Sequence, residues 1–355
     1  MSLMKKEKIL VAMSGGVDSS VVAALLVRAG YDVTGAFMVN YDGQVPNGES
    51  CWHGDYQDAL RVAAHLGIPL MRLDFVTEYK KFVLDYLYKE YSAGRTPNPD
   101  VMCNKFVKFG FWLKAADKLG FDKLATGHYA TLVKRAGKFK LLAAKDGNKD
   151  QTYFLHQLNQ KQLSKVLFPV GEYTKDEVRK LAKKFGLPTA EKEESMGICF
   201  IGEVSMRDFL KGKVKASPGK IINTQGEVVG KHTGLPFYTI GERGVGLDKS
   251  AGRPYFVVGK NIKKNQLVVG FENDPAMFKK EVLVKSVNWI SGQTPKFPLK
   301  CQVRMRHRQP LVNCILHANG RDVLINFNKP ERAVTPGQFA VFFKNNECLG
   351  GGAVK

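Results

Sequence analysis

Three short stretches of the chain combine residue types at spacings that suit chemistry. The first, Ser14-Gly15-Gly16-Val17-Asp18-Ser19-Ser20, lies between an apolar run and a helical one. Two adjacent glycines let backbone approach a ligand closely. The helix that follows offers unpaired N–H groups and the positive end of its dipole, so the loop suits a bound phosphate. No Gly-Lys-Ser/Thr follows, which separates it from the Walker loop, and the glycine spacing is not that of a dinucleotide fold. The second stretch, Thr96-Pro97-Asn98-Pro99-Asp100-Val101-Met102-Cys103-Asn104, places an acid three residues before a thiol. It reads as a proline-punctuated loop between two helices. The third, Ser195-Met196-Gly197-Ile198-Cys199-Phe200-Ile201-Gly202, sets another thiol between glycines. A lone cysteine is commonly a small buried hydrophobe, but two on loops in a chain with a phosphate loop point to chemistry.

A phosphate loop needs a sheet behind it. The apolar pattern predicts strands at Lys8–Met13, Val33–Val39, Leu70–Asp74 and Lys123–Thr126. Between them it predicts helices at Asp18–Ala29, Tyr56–Leu66, Glu78–Tyr91 and Phe106–Leu119. This alternation gives an α/β fold with a doubly wound parallel sheet, whose ligands bind at the carboxyl ends of the strands. A turn at Gly137 suggests a hairpin hanging from that sheet, and Thr174-Lys175-Asp176-Glu177 is a capping box that opens a further helix. Beyond Pro218-Gly219 helical periodicity disappears and short β-rich runs take over. The expected division is a nucleotide domain over 1–217, a small central β-rich domain over 218–280 and a C-terminal β-barrel over 281–355.

The formal net charge is +21, and its distribution is uneven. Residues 1–204 carry +6 and residues 205–355 carry +15. A basic back end of this kind attracts polyanions through counterion release. No basic amphipathic helix points to a membrane. The apolar run near the N-terminus is too short to span one and shows no cleavage pattern, so the cytoplasm is expected. The six cysteines are dispersed and include no Cys-x-x-Cys, which argues against a disulfide scaffold, a zinc ribbon or a cluster held by paired cysteines. No metal site is expected from Cys51, His53, Cys301 and Cys314, whose spacing fits no common pattern.

The Ser-Gly-Gly-x-Asp-Ser pattern resembles the pyrophosphate loop of the ATP pyrophosphatase superfamily, whose members split ATP to AMP and pyrophosphate while adenylating an oxygen of the substrate. Further motifs narrow the resemblance. Pro97 to Asn104, Thr126-Gly127-His128-Tyr129-Ala130, Lys149-Asp150-Gln151-Thr152-Tyr153-Phe154-Leu155, Gly197 to Glu203, Tyr238-Thr239-Ile240-Gly241-Glu242-Arg243 and Arg306-His307-Arg308-Gln309 stand in the order found in the tRNA-specific 2-thiouridylase family. The resemblance covers nearly the whole chain and implies the same three-part plan.

It also implies a mechanism. Ala12, Met13, Ser14, Gly15, Gly16, Val17, Asp18 and Ser19 would hold ATP, with Met38 and Gly127 beside the adenosine and Mg²⁺ offsetting phosphate charge. The wobble uridine of the glutamate, glutamine and lysine tRNAs would be adenylated on its carbonyl. Cys199, loaded as a persulfide by a cysteine desulfurase or a persulfide relay protein, would deliver sulfur. Cys103 would then release the thiolated base, leaving a transient Cys103–Cys199 disulfide for a reductant to reset. Asp100 would act as acid or base, and Asn98, Pro99 and Asp100 would touch the base. Lys149, Asp150, Gln151, Arg306 and His307 would contact tRNA, with Arg304, Arg306 and Arg308 forming a row on one strand face. Met196, His307 and Glu242 depart from the usual family pattern. Three alternatives stay open: a lysidine-synthetase-like adenylating enzyme that needs no cysteine pair, a non-catalytic tRNA-binding protein, and a cluster-dependent thiolase.

Overall fold

The structure is a computed structural model, and it describes residues 6–43, 50–193, 205–247 and 253–355. Five strands, β1 (Lys8–Ala12), β2 (Asp32–Val39), β3 (Leu70–Asp74), β4 (Lys123–Ala125) and β7 (Val166–Leu167), form a parallel sheet in the order β3-β2-β1-β4-β7. Alternate side chains of β1 enter two different cores: Leu10 packs in one, Ile9 and Val11 in the other, and all three are fully inaccessible. Both faces of the sheet are therefore covered, as a doubly wound fold requires. The two-residue strand β7 is too short to show any period in sequence.

Helix α1 (Val17–Arg28) leaves the phosphate loop directly. Helical segments at 76–92 and 99–118 are each continuous, with π-helical turns at Lys80–Leu84 and Cys103–Trp112. The second corrects an expectation. Cys103 sits not on a loop but inside a helix, because Asn98 caps it and Pro99 fills its first turn, where a missing N–H costs nothing.

Strands β8 (Gly219–Asn223), β9 (Val228–His232), β10 (Phe256–Asn261) and β11 (Gln266–Gly270) form a small separate sheet around Ile221, Val257, Leu267 and Val269. Strands β12 (Phe278–Trp289), β13 (Leu299–Arg304), β14 (Val312–Asn319), β15 (Asp322–Arg332), β16 (Phe339–Lys344) and β17 (Glu347–Val354) close into a barrel through a β12–β17 pairing. Its expected turns are present, with Gly320 and Asn345 both at positive φ. The hairpin of β5 (Thr131–Arg135) and β6 (Lys138–Leu142) does not hang from the parallel sheet. It pairs with the barrel instead, Leu141 opposite Cys348, and Lys140 meets Glu347 at 2.7 Å. Among the described residues no helix is long and apolar enough to cross a membrane.

Candidate active site

The strand order reverses at β1, which has β2 on one side and β4 on the other, and the phosphate loop rises from that switch point. Gly15 has φ +74°, and a Cβ on it would stand 2.2 Å from the backbone oxygen of Asp55, so only glycine fits. Gly16 caps α1 with no side-chain hydrogen bond. The Ser19 hydroxyl donates to the Gly16 carbonyl at 3.1 Å and accepts from the Ser14 N–H at 3.2 Å. The Ser20 hydroxyl also donates to Gly16, at 2.8 Å. Both serines are buried and fix the curvature of the loop. Ala12 closes β1, the Met13 N–H extends the sheet to the Ala36 carbonyl, and the Met13 side chain and Val17 lie in the core. Met38 is buried near the end of β2. Gly127, just past β4, brings its backbone against the loop: a Cβ there would lie 3.1 Å from that of Asp18.

Asp18 is the one carboxylate of the phosphate-loop motif. It accepts from the Tyr129 hydroxyl at 2.9 Å and from Lys175 Nζ at 2.6 Å, with Lys175 also over the Tyr129 ring. Lys175 was legible in the sequence only as part of the Thr174 capping box, which is present. A cation in the first turn of a helix opposes the helix dipole, and that anomaly was the available signal. Mg²⁺ typically reaches such sites through one or two carboxylates and the substrate phosphates. Asp18 fits the single-carboxylate case, and no cluster of three or more metal-ligating side chains occurs among the described residues.

Asn98 accepts from the Val101 N–H at 3.2 Å and so orients the turn that carries Asp100 and Cys103. Asp100 is partly exposed, whereas Cys103 is 1% exposed within the larger core. The segment before Asn98 is held by the barrel. Gln338 Nε2 donates to the carbonyls of Thr96 and Pro97, both at 3.0 Å, and the Thr96 N–H donates to Pro336. The Thr96 and Thr239 hydroxyls meet at 3.3 Å, which ties in the central segment. Cys199, the expected sulfur carrier, and Met196 lie outside the described residues.

The expected tRNA-contacting set divides. Lys149 is partly exposed, and the Gln151 side chain accepts from the Tyr129 N–H at 3.0 Å. Asp150 is 3% exposed, and its carboxylate is taken up by Thr152, the Ala144 N–H and Arg304 at 2.9 Å. It joins β13 to the segment after β6. The arginine row is also corrected. β13 ends at Arg304, Arg306 turns inward to donate to the carbonyls of Ile240 and Ala333, and Arg308 occupies a turn at φ +63°. Alternation holds only along a strand, and the strand stops one residue into the row.

Residues 7–203 match the model described as the tRNA methyl transferase HUP domain, 207–271 the tRNA methyl transferase PRC-barrel domain, and 279–354 the aminomethyltransferase beta-barrel domain. The chain is 48% identical over 351 residues to the tRNA-specific 2-thiouridylase MnmA of Geobacillus thermodenitrificans, covering 98% of this chain and 94% of that one. It is 46% identical over 350 residues to MnmA of Bacillus anthracis, with the same coverage. The chain belongs to the tRNA-specific 2-thiouridylase family.

Two departures from that family's usual pattern have a structural reading here. Glu242 accepts from the Thr239 N–H at 2.8 Å, a task a glutamine carbonyl would serve equally. His307 lies with its ring centroid 4.4 Å from that of Phe154, and burial, reinforced by Arg308, pushes its pKa down to about 4. Its ring is engaged within the protein, so base stacking is not its evident task.

Proposed function

We propose that the chain thiolates the wobble uridine of tRNA. ATP sits at the β1–β4 switch point, and the helix α1 N-terminus and the Gly15-Gly16 backbone hold its phosphates. Asp18 is the side chain that would hold Mg²⁺ brought in with the nucleotide, and the ion would offset phosphate charge there. Lys175 keeps the Asp18 carboxylate aligned. The uridine C2 carbonyl oxygen attacks the α-phosphate and pyrophosphate leaves, because a carbonyl oxygen must be turned into a phosphate ester before it can depart. The base leaves its stack to reach the site, at about a few kcal/mol.

Cys199, carrying a persulfide, attacks the activated carbon and AMP departs. Cys103 then attacks the remaining sulfur–sulfur bond. The electron pair stays with the sulfur on the base, and a Cys103–Cys199 disulfide is left for a thiol reductant. Asp100 moves the proton, and Asn98 and Pro99 border the base. Lys149, Gln151 and the basic residues beyond 205 meet the RNA, with Arg306 and His307 acting from beneath that surface. The tRNAs for glutamate, glutamine and lysine are the substrates, and a cysteine desulfurase or persulfide relay protein supplies sulfur in the cytoplasm. The three-part division belongs to the same proposal, with the first boundary at 217/218 and the second moved from 280/281 to just before Phe278 so that β12 stays whole.

One observation carries the reading: near-half identity to named 2-thiouridylases over almost the entire chain, on a sheet whose switch point bears the phosphate loop. The test is mass spectrometry of nucleosides from tRNA incubated with enzyme, ATP, Mg²⁺ and a persulfide donor. Sulfur should replace oxygen on the wobble uridine with wild type and not with Cys199→Ser. Retention of full activity in that variant would favour a cysteine-independent reaction and overturn the scheme.

A further inference from the structure

Two cysteines that the proposed mechanism does not use face each other in the barrel. Cys301 on β13 and Cys314 on β14 are directly opposed in an antiparallel pair, with sulfurs 3.7 Å apart. Opposed residues in such a ladder have Cα atoms about 4.5–5.5 Å apart, inside the window of about 4.4–6.8 Å that a disulfide tolerates. Both thiols border an open cleft of about 500 Å³ between Lys300, Asn313, Asn328, Phe343 and Lys344. Cys301 is the more accessible, 9% exposed against 3% for Cys314. Small oxidants can enter this cleft.

We propose that Cys301 and Cys314 form a reversible redox pair that a hydroperoxide converts to a disulfide across β13 and β14. The Cys301 sulfur attacks a peroxide oxygen, giving a sulfenic acid and releasing the first water. The Cys314 sulfur then attacks the Cys301 sulfur; the new S–S bond forms as the second water leaves with the Cys314 proton. Two thiols have lost two electrons and two protons, and one hydrogen peroxide has become two waters. The sulfurs need close only from 3.7 Å to about 2.05 Å, a shift that side-chain rotation within the hairpin can supply. The hydrogen bond shared with Cys301, and after it burial, push the Cys314 thiol up, so its attack becomes faster as pH rises. The bond would tie the strand that ends at Arg304, and with it the partner of Asp150, to its neighbour. The site is independent of the thiolation chemistry.

Full-length protein, reduced and then exposed to hydrogen peroxide, should be alkylated and digested without reduction. The expected product is a Cys301–Cys314 peptide pair lighter by two hydrogens, lost on treatment with a thiol reductant. It should persist in the Cys103→Ser, Cys199→Ser double variant. The oxidised wild type should melt at a higher temperature than the reduced form, and Cys314→Ala, or Cys301→Ser should that variant fold poorly, should abolish the shift. Separate alkylation of both cysteines at peroxide levels that oxidise the half-exposed Cys51 would overturn the proposal. So would overoxidation of Cys301 beside an alkylated Cys314, or a cross-link to another cysteine.

Discussion

At the scale of single residues, Lys175 and Asp150 illustrate opposite outcomes. Lys175 is 9% exposed and meets the phosphate-loop aspartate, though it was legible in the sequence only through its capping box. Lys175→Ala should slow ATP–pyrophosphate exchange in the presence of tRNA at least tenfold, with Lys175→Arg recovering part of it, and the loss should appear in kcat more than in the KM for tRNA. Wild-type activity in both variants would show that the Asp18–Lys175 pair has no part in the reaction. Asp150 sits in a motif of the family pattern, and its carboxylate is a structural pin. Asp150→Ala leaves Arg304, whose side chain is only 14% exposed, without its counter-charge, which costs on the order of 3–5 kcal/mol. Thermal melting should register that loss, and adding Arg304→Met should restore much of it. At these two positions sequence order did not reveal spatial neighbours, because Lys175 is 157 residues from Asp18 and Arg304 is 154 from Asp150.

At the scale of elements, the phosphate loop and its helix were legible because local rules decide them: paired glycines, an apolar strand before, a helical period after. Gly15→Ala breaks those rules twice, by backbone conformation and by contact with Asp55. It should abolish the rise in melting temperature that ATP gives the wild type; an unchanged rise would show that the loop is not the nucleotide seat. The helix carrying Cys103 is hidden by the same kind of signal. Two prolines within three residues read as a broken loop, but Pro99 falls at the first helical position and Asn98 caps it. Asn98→Ala removes that cap, at about 1 kcal/mol, and should increase alkylation of Cys103 in the tRNA-free enzyme by loosening its first turn. The strands of the barrel were legible by alternation and turn chemistry. What joins β6 to it was not, since Leu141 and Cys348 carry no mark of each other.

At the scale of the whole molecule, buried histidines set the response to acid. His156 is fully buried and His307 partly so, and burial holds both near a pKa of about 4, against 6.5 for an ordinary imidazole. Between those values the unfolded chain binds protons that the folded chain refuses, so stability is fully present above about pH 6.5 and is lost as pH falls toward 4. Urea midpoints across that window should fall with pH, and His156→Phe should flatten the slope if it preserves the fold.

The pairing of β6 with β17 also has a consequence for how the chain is made. A ribosome adding about 5–20 residues per second needs roughly 10–40 s to travel the 207 residues from Lys140 to its partner Glu347. Once the hairpin has cleared the exit tunnel, the edge it docks on has still not been synthesised for the rest of that interval. The nascent protein therefore carries an unsatisfied strand through most of its translation, and nascent-chain crosslinking at Leu141 should capture a chaperone until β17 clears the exit tunnel.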